Sequence, residues 1–134
     1  MLPYTPLQHL LLKAVGDMHA AGIPMLAGTD STAPNLVPGF ALHDSIADLV
    51  QAGLTPMQAL QSATSTPAEF LNRSTEQGTI APGQRADLIL LDANPLADIH
   101  NTQKIQAIFL KGKYLDRAAL DALLNKAAQF AAKP

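Results

Sequence analysis

At residues 23–30 the chain reads Ile23-Pro24-Met25-Leu26-Ala27-Gly28-Thr29-Asp30, a short apolar run that ends at a carboxylate. The length of the run and its flanking glycines favour a fully buried strand over residues 23–27. A carboxylate just past the C-terminal end of a parallel strand lies where β/α-barrels keep their active sites. Asp30 is therefore the first candidate catalytic residue. The alternative is a helix N-cap or loop aspartate that accepts hydrogen bonds from nearby backbone N–H groups.

Helices are predicted on both sides of this segment. Apolar spacing predicts a helix over residues 5–21, with Thr5 as its N-cap and Gly22 at its end. Residues 28–40 contain two glycines and two prolines and predict a long loop. Three helices should follow: one over residues 41–52, one opened by Thr55-Pro56 and a short one opened by Thr66-Pro67.

The pattern after Asn72 is typical of short strands. It predicts a strand fragment and turn over residues 78–83, a buried strand over 86–92 and a strand over 105–110. Lys111-Gly112-Lys113 predicts a hairpin turn into Tyr114-Leu115, and residues 116–133 predict a helix. A few short strands need partners, and one barrel-type strand cannot form a barrel. Neither half of the chain therefore looks complete.

The ordered series of these motifs resembles the C-terminal part of an amidohydrolase superfamily enzyme. Residues 21–30 resemble the eighth barrel strand, and residues 42–46 and 49–60 resemble the helices that follow it. Residues 78–92 are similar to the family's return to its β-sandwich domain, and residues 94–99 to the loop after it. Within the superfamily, the sequences of these motifs are most similar to those of imidazolonepropionase-like and Xaa-Pro dipeptidase-like amidohydrolases. The resemblance covers roughly residues 15–115.

The resemblance implies an α/β fold class, as a C-terminal fragment of a metal-dependent (β/α)8-barrel hydrolase. It implies that residues 1–72 form the end of the barrel, with strand 8 and the following helices. Residues 73–115 would form part of the small β-sandwich domain, and residues 116–134 a C-terminal helix.

The same resemblance implies roles for four residues near the end of the barrel strand. Asp30 would bind the metal, take a proton from the metal's water and give it to a leaving nitrogen. Thr29 and Ser31, which flank Asp30, would orient its carboxylate or contact substrate. His43 would contact substrate or support a residue that does. The alternatives are plain loop polarity for Thr29 and Ser31, and for His43 a helix-start residue satisfied by solvent or backbone.

The metal site of the family needs more ligands than this sequence offers. The family uses a His-x-His pair, a carboxylated lysine or glutamate, and two further histidines, and no His-x-His occurs here. The other histidines, His9, His19 and His100, are interpreted as surface residues. A catalytic zinc site normally takes three protein ligands. We therefore expect a divalent metal, zinc by default, in the complete parent enzyme, and an isolated chain without metal or activity.

Composition bears on partners and location. Of the 134 residues only 15% are charged, against roughly 25% in typical soluble domains, and the net charge is −2. No basic stripe indicates nucleic acid, and no run of ~18 apolar residues indicates a membrane span. The low charge predicts burial against the missing N-terminal part of the barrel or in a homo-oligomer. Without cysteine, a cytoplasmic location is expected, although a secretion signal on a longer parent would lie outside this sequence.

Two hypotheses for the function result. The first is metal-dependent hydrolysis of non-peptide or dipeptide C–N bonds in a small amide substrate, by an enzyme of which this chain is an incomplete portion. The alternative is a non-catalytic binding or self-associating module derived from an amidohydrolase.

Overall fold

The computed structural model describes residues 5–31 and 37–132. The helices and strands of this part of the chain are, in order, α1 (Pro6–Ala20), α2 (Ala41–Gln51), α3 (Pro56–Ser62), α4 (Ser65–Phe70), β1 (Leu88–Leu91), a 3₁₀ helix (Ile99–Gln103), β2 (Ile105–Leu110), β3 (Lys113–Leu115) and α5 (Arg117–Ala131). The mixed α/β composition is as predicted. Within the described ranges no helix is long and apolar enough to cross a membrane.

Two helix starts confirm the Thr-Pro prediction. The Thr5 hydroxyl accepts a hydrogen bond from the Gln8 N–H at 3.3 Å, and the Gln8 side chain accepts one from the Thr5 N–H at 2.7 Å. Thr55 and Gln58 repeat this reciprocal arrangement at the start of α3. Each box satisfies backbone N–H groups that a helix start leaves without a partner. Short local signals therefore fix where α1 and α3 begin.

The predicted start of α4 at Thr66-Pro67 is wrong. The helix begins at Ser65, and its N-cap residue is Thr64. The Thr64 hydroxyl makes no capping bond and instead donates to the Leu60 carbonyl of α3 at 2.8 Å. Pro67 is still tolerated, because it lies in the first turn, where its missing N–H has no intrahelical partner to lose.

The three strands form one antiparallel sheet in the order β1-β2-β3. Register pairs Leu88 with Phe109 and Leu90 with Ala107, and then shifts so that Leu91 pairs with Ile105. The predicted hairpin forms at residues 111 and 112, which both have positive φ angles, 50° and 80°. That backbone conformation matches the twist of a tight two-residue hairpin.

Three strand predictions require correction. Residues 23–27 do not form a strand, because no strand lies beside them in the described part of the chain to make a hydrogen-bond ladder. Residues 78–83 form the predicted turn but no strand. The Gln84 side chain holds this segment by accepting a hydrogen bond from the Thr79 N–H and donating one to the Ser74 carbonyl. β1 does form, but it is not buried: Ile89 is 61% exposed.

The core joins the helices to the connection between β1 and β2. Its buried members come from α2, α3, the turn between them and the 3₁₀ helix: Ile46, Leu49, Leu54, Ala59 and Ile99. Ile99 is held in place because Asp98 caps the 3₁₀ helix by accepting a hydrogen bond from the His100 N–H at 3.0 Å. The Arg117 guanidinium of α5 donates to the Ile105 carbonyl of β2 at 2.7 Å, which joins the last helix to the sheet.

Candidate functional site

The segment that leads to Asp30 alternates in burial. Met25, Ala27 and Thr29 are half-buried, and Met25 and Ala27 pack against the helical core. Leu26 and Asp30 are exposed. An alternation with a period of two residues is the pattern of an extended chain with one covered side. The segment therefore turns one side to the helices and leaves the other open, although it is not a strand.

Two hydrogen bonds fix this segment just before the carboxylate. The Ala27 N–H donates to the Ser62 carbonyl at the end of α3 at 2.9 Å. The Ser45 hydroxyl of α2 donates to the Gly28 carbonyl at 3.2 Å. Asp30 is thus two residues from a tether to α2 and three from a tether to α3. Sequence analysis missed Ser45 and Ser62, and a single serine in a helical pattern carries no signal that could have indicated them.

Asp30 itself is exposed and unusual in its backbone. Its φ angle is 45°, in the left-handed region that aspartate tolerates better than most residues. Within residues 5–31 and 37–132 its carboxylate makes no hydrogen bond or ion pair. It is not the N-cap of α2, a position taken by Phe40. The described structure therefore contains no local bond that accounts for this carboxylate.

The neighbours of Asp30 differ in exposure. Thr29 is half-buried and Ser31 is exposed. The loop predicted over residues 28–40 continues through residues 32–36, which lie outside the described residues. Substrate contacts for Thr29 and Ser31 stay predictions.

His43 lies in the first turn of α2, and its side chain is half-buried. Its ring nitrogen Nδ1 is buried and has no hydrogen-bond partner in the part of the chain that the structure describes. Burying a polar atom without a partner costs about 1–3 kcal/mol. No described protein group satisfies this nitrogen, so an additional hydrogen-bonding group at His43 would remove that cost.

His43 faces a groove of about 650 Å³ between the helices and the sheet. The lining is mainly apolar and includes Leu42, Ile46, Leu60, Ile80, Leu88 and Ile89. Thr29, Asp30 and Ser31 are not among the described residues that line it. The structure therefore assigns His43 to a groove that the other three predicted site residues do not share.

A divalent metal does not fit the described residues alone. No three of their His, Asp and Glu side chains lie together in a group that could hold an ion. His9 and His100 are exposed as predicted, whereas His19 is half-buried. The His100 ring lies 2.8 Å from the Asp98 carboxylate, in a pair on the 3₁₀ helix. Asp30 could therefore supply at most one ligand of a larger metal site.

Comparisons with known proteins agree with the resemblance seen in the sequence. The sequence profile of the amidohydrolase family matches residues 12–115. The chain is similar to an adenine deaminase of Ligilactobacillus salivarius, with 36% identity over 69 residues that make up 52% of this chain and 12% of the deaminase. It is also similar to an ochratoxinase of Aspergillus niger, with 33% identity over 98 residues, or 72% of this chain and 20% of the ochratoxinase.

A solved structure agrees with the sequence relatives. The chain is similar to a Xaa-Pro dipeptidase with methionine bound in its active site, with a TM-score of 0.71 and 25% identity. The likeness covers 78% of this chain and 25% of the dipeptidase. The chain thus spans between 12% and 25% of the length of the three proteins.

Proposed function

Because the chain belongs to the amidohydrolase family, we propose that it supplies one edge of an active site that hydrolyses carbon–nitrogen bonds. The observation that carries this proposal is the state of Asp30. Its carboxylate is exposed, follows a segment fixed by tethers to α2 and α3, and makes no bond to the described residues. A carboxylate that is positioned and has no partner among the described residues is available to move a proton.

We assign Asp30 the role of proton carrier in hydrolysis. Its carboxylate accepts a proton from the attacking water and donates that proton to the leaving nitrogen, so that water adds across the C–N bond. The similarity to an adenine deaminase and to a Xaa-Pro dipeptidase supports a small amide, dipeptide or amino-substituted molecule as the substrate class.

The proposed enzyme requires more polypeptide than the described residues provide. A metal, zinc by default, would need ligands besides Asp30. We call the polypeptide that carries them the complementing polypeptide, whether it is joined to this chain or separate. In the complete enzyme, residues 1–72 would form the end of the barrel, residues 73–115 part of the β-sandwich domain and residues 116–134 a C-terminal helix.

The surface of the chain supports such a partner. Its accessible area is 9596 Å². A folded monomer of 14.1 kDa is expected to expose about 6,700 Å². The excess of about 2,900 Å² on this one chain is at least as large as what each partner of a permanent complex buries, roughly 1,000–2,500 Å², or half of a total of roughly 2,000–5,000 Å². Many large apolar side chains are exposed, among them Leu7, Leu10, Ile80, Ile89 and Phe130.

The proposal is tested by comparing Asp30→Asn in two contexts. In the complete parent enzyme the substitution should lower kcat at least a hundredfold, since general acid–base catalysis contributes roughly 10²–10⁴-fold. In the isolated chain we expect no hydrolysis of an Xaa-Pro dipeptide, an N-formyl amide or adenine, less than stoichiometric zinc by elemental analysis, and an unchanged melting temperature after the substitution. Asp44→Asn, which changes an exposed carboxylate in the first turn of α2, is the matched control.

Two results would contradict this proposal. A parent enzyme that keeps its kcat after Asp30→Asn would remove the catalytic role of Asp30. Hydrolysis by the isolated chain that is lost on the same substitution, or a stoichiometric divalent ion in that chain, would remove the need for a complementing polypeptide.

The exposed apolar surface also favours a second candidate function, a self-associating module without chemistry. In that case the chain would bury its surface against copies of itself. Light scattering coupled to size-exclusion chromatography distinguishes the two. A monomer at micromolar concentration would contradict self-association, whereas a stable oligomer that binds no metal would favour it.

A further inference from the structure

Ser45 uses its hydroxyl outside its own helix. It lies in the second turn of α2, is half-buried, and donates to the Gly28 carbonyl at 3.2 Å. A serine inside a helix commonly bonds instead to the carbonyl four residues earlier in that helix. The Ser45 hydroxyl therefore joins two segments of the fold and contributes no hydrogen bond to α2 itself.

Gly28 depends on this bond more than a larger residue would. Glycine has no Cβ and adopts more backbone conformations than other residues. A Cβ added at Gly28 would meet nothing within 4 Å, so no described neighbour confines this position by contact. The bond from the Ala27 N–H to the Ser62 carbonyl fixes the chain only on the N-terminal side of Gly28. The orientation of the peptide group after Gly28 therefore depends on Ser45.

This peptide group lies directly upstream of the candidate catalytic carboxylate. Only Thr29 separates it from Asp30, whose φ angle of 45° is in the left-handed region. A residue other than glycine keeps that conformation where the surrounding structure holds it. Within the described ranges the Asp30 carboxylate makes no hydrogen bond that could do so. The direction in which Asp30 projects is therefore fixed from the Gly28 carbonyl, and so from Ser45.

We propose that Ser45 is a positioning residue for proton transfer by Asp30. Its hydroxyl holds the Gly28 carbonyl, the peptide group between Gly28 and Thr29 keeps one orientation, and the Asp30 carboxylate stays at one place relative to α2 and α3. Ser45 takes no part in the proton transfer itself. This inference rests on the proposed function, in which Asp30 carries the proton.

The stability of α2 is separable from this role. The side chains of α2 that are buried in the core are those of Ile46 and Leu49. Alanine forms helices more readily than serine. Ser45→Ala should therefore keep the helix and the melting temperature while it removes the bond to Gly28. A residue with only a structural role would show the opposite, a lower melting temperature.

Backbone order parameters from ¹⁵N relaxation of the labelled full chain test the first step. A rigid backbone gives about 0.85 and a flexible one less than about 0.6. Thr29 and Asp30 should be near the rigid value in the unsubstituted chain and below about 0.6 in Ser45→Ala. Ser45→Thr keeps a hydroxyl and should restore the rigid value. Ser65→Ala is the matched control, because Ser65 is also half-buried and its helix α4 makes no described hydrogen bond to residues 23–31.

The kinetics of the complete parent enzyme test the second step. The substrate is whichever of an Xaa-Pro dipeptide, an N-formyl amide or adenine the enzyme hydrolyses fastest. Because a displacement of about 1 Å can cost a factor of about a hundred in rate, Ser45→Ala should lower kcat about tenfold. KM should change less than about twofold, since Ser45 is not assigned a contact with substrate. Ser45→Thr should recover most of the loss.

A double variant links the effect to Asp30. In an enzyme that already carries Asp30→Asn, Ser45→Ala should cause no further loss of kcat, because the effects of residues that act as a unit do not add. A further loss of the same tenfold size would give Ser45 a role separate from Asp30 and overturn the inference.

Three other results would also overturn it. They are rigid amides at Thr29 and Asp30 in Ser45→Ala, mobile amides there in the unsubstituted chain, and a lower melting temperature with mobility spread over α2. The proposed function fails by a different result, an unchanged kcat after Asp30→Asn or an enzyme that hydrolyses none of the three substrates. The order parameters decide the role of Ser45 in either case, so the two proposals can fail separately.

Discussion

The α2–α3 region and the β1–β3 sheet are both rich in apolar residues, but they cover them differently. Ile46 and Leu49 of α2 are 5% and 8% exposed, whereas Ile89 and Leu90 of β1 are 61% and 52% exposed. A helix makes its main-chain hydrogen bonds within itself and needs only one covered face. A strand needs a neighbour on each edge and a cover on its apolar face. The comparison shows that the helices bury their apolar residues within the described structure, whereas β1 leaves most of its apolar surface exposed.

The largest expected effect comes from shortening one isoleucine in each region. Ile46→Ala should lower the free energy of unfolding by about 2–5 kcal/mol, because it leaves a cavity among Leu49, Leu54, Ala59 and Ile99. Ile89→Ala should change it by about 0.5 kcal/mol or less, because its side chain is mostly in solvent. Urea denaturation of the two variants measures both values.

Equal losses for the two variants would break the comparison, since they would show that β1 is already covered in the isolated chain. Adding the complementing polypeptide should increase the loss of unfolding free energy caused by Ile89→Ala. It should leave the loss caused by Ile46→Ala nearly unchanged. A strand that becomes buried acquires a cost of truncation that it lacked in the free chain.

The same contrast explains how much of the fold could be predicted from the sequence. α1 and α3 begin where Thr-Pro and a glutamine three residues after each threonine indicate, because the capping box is local. The strand predicted over residues 23–27 did not form, because a strand needs neighbouring strands. The apolar pattern of one segment does not show whether such neighbours are present. The predicted start of α4 was wrong because the Thr64 hydroxyl bonds back to the Leu60 carbonyl four residues earlier, a local alternative to capping that the Thr-Pro pattern does not reveal.

The candidate site divides in a similar way. Asp30 could be singled out because a carboxylate after an apolar run is visible in the sequence. The hydrogen bond from the Ser45 hydroxyl to the Gly28 carbonyl could not be predicted, because it joins residues that are 17 positions apart. His43 was predicted as a substrate contact, but its buried Nδ1 atom and the edge of β1 in the same groove depend on packing between the helices and the sheet.

The second prediction concerns residues 77–80, which approach α4 at Gly78. Gly78 has a φ of 102°, and a Cβ there would lie 2.7 Å from the Ala68 Cβ of α4. Gly83 has a φ of 85°, but a Cβ there would meet nothing within 4 Å. Both alanine variants incur a left-handed backbone cost of roughly 1–2 kcal/mol. Gly78→Ala should cost about 1–3 kcal/mol more, because α4 cannot move away without losing its packing.

Urea denaturation gives this difference directly, with Gly83→Ala as the control. A Gly78→Ala variant no less stable than Gly83→Ala would show that residues 77–80 are not held against α4 and that the groove has a movable wall. That result would sharpen the comparison by assigning the segment to the loosely held sheet and not to the helices.

The smallest expected effect lies at the 3₁₀ helix, the element through which the sheet reaches the helical core. The pKa of Asp98 is lowered from its usual 3.8 because its carboxylate accepts hydrogen bonds from the His100 ring and the His100 N–H. A lowered carboxyl pKa means that the folded state binds the proton less tightly than the unfolded state. The contribution of Asp98 is therefore present above about pH 3.8 and is lost as the pH falls through the lowered folded value.

Melting temperatures measured between pH 6 and pH 2 test this small effect. Asp98→Asn should be less stable than the unsubstituted chain at pH 6, and the difference should shrink below pH 3.8. His100→Ala removes the ring donor and should move the pKa of Asp98 back towards its usual value. In a chain that carries His100→Ala, the loss of stability caused by Asp98→Asn at pH 6 should therefore be smaller. Ile99, the residue after Asp98, is buried in the core. A pH-independent difference would therefore mean that Asp98 acts on the core through the shape of the 3₁₀ turn and not through its charge.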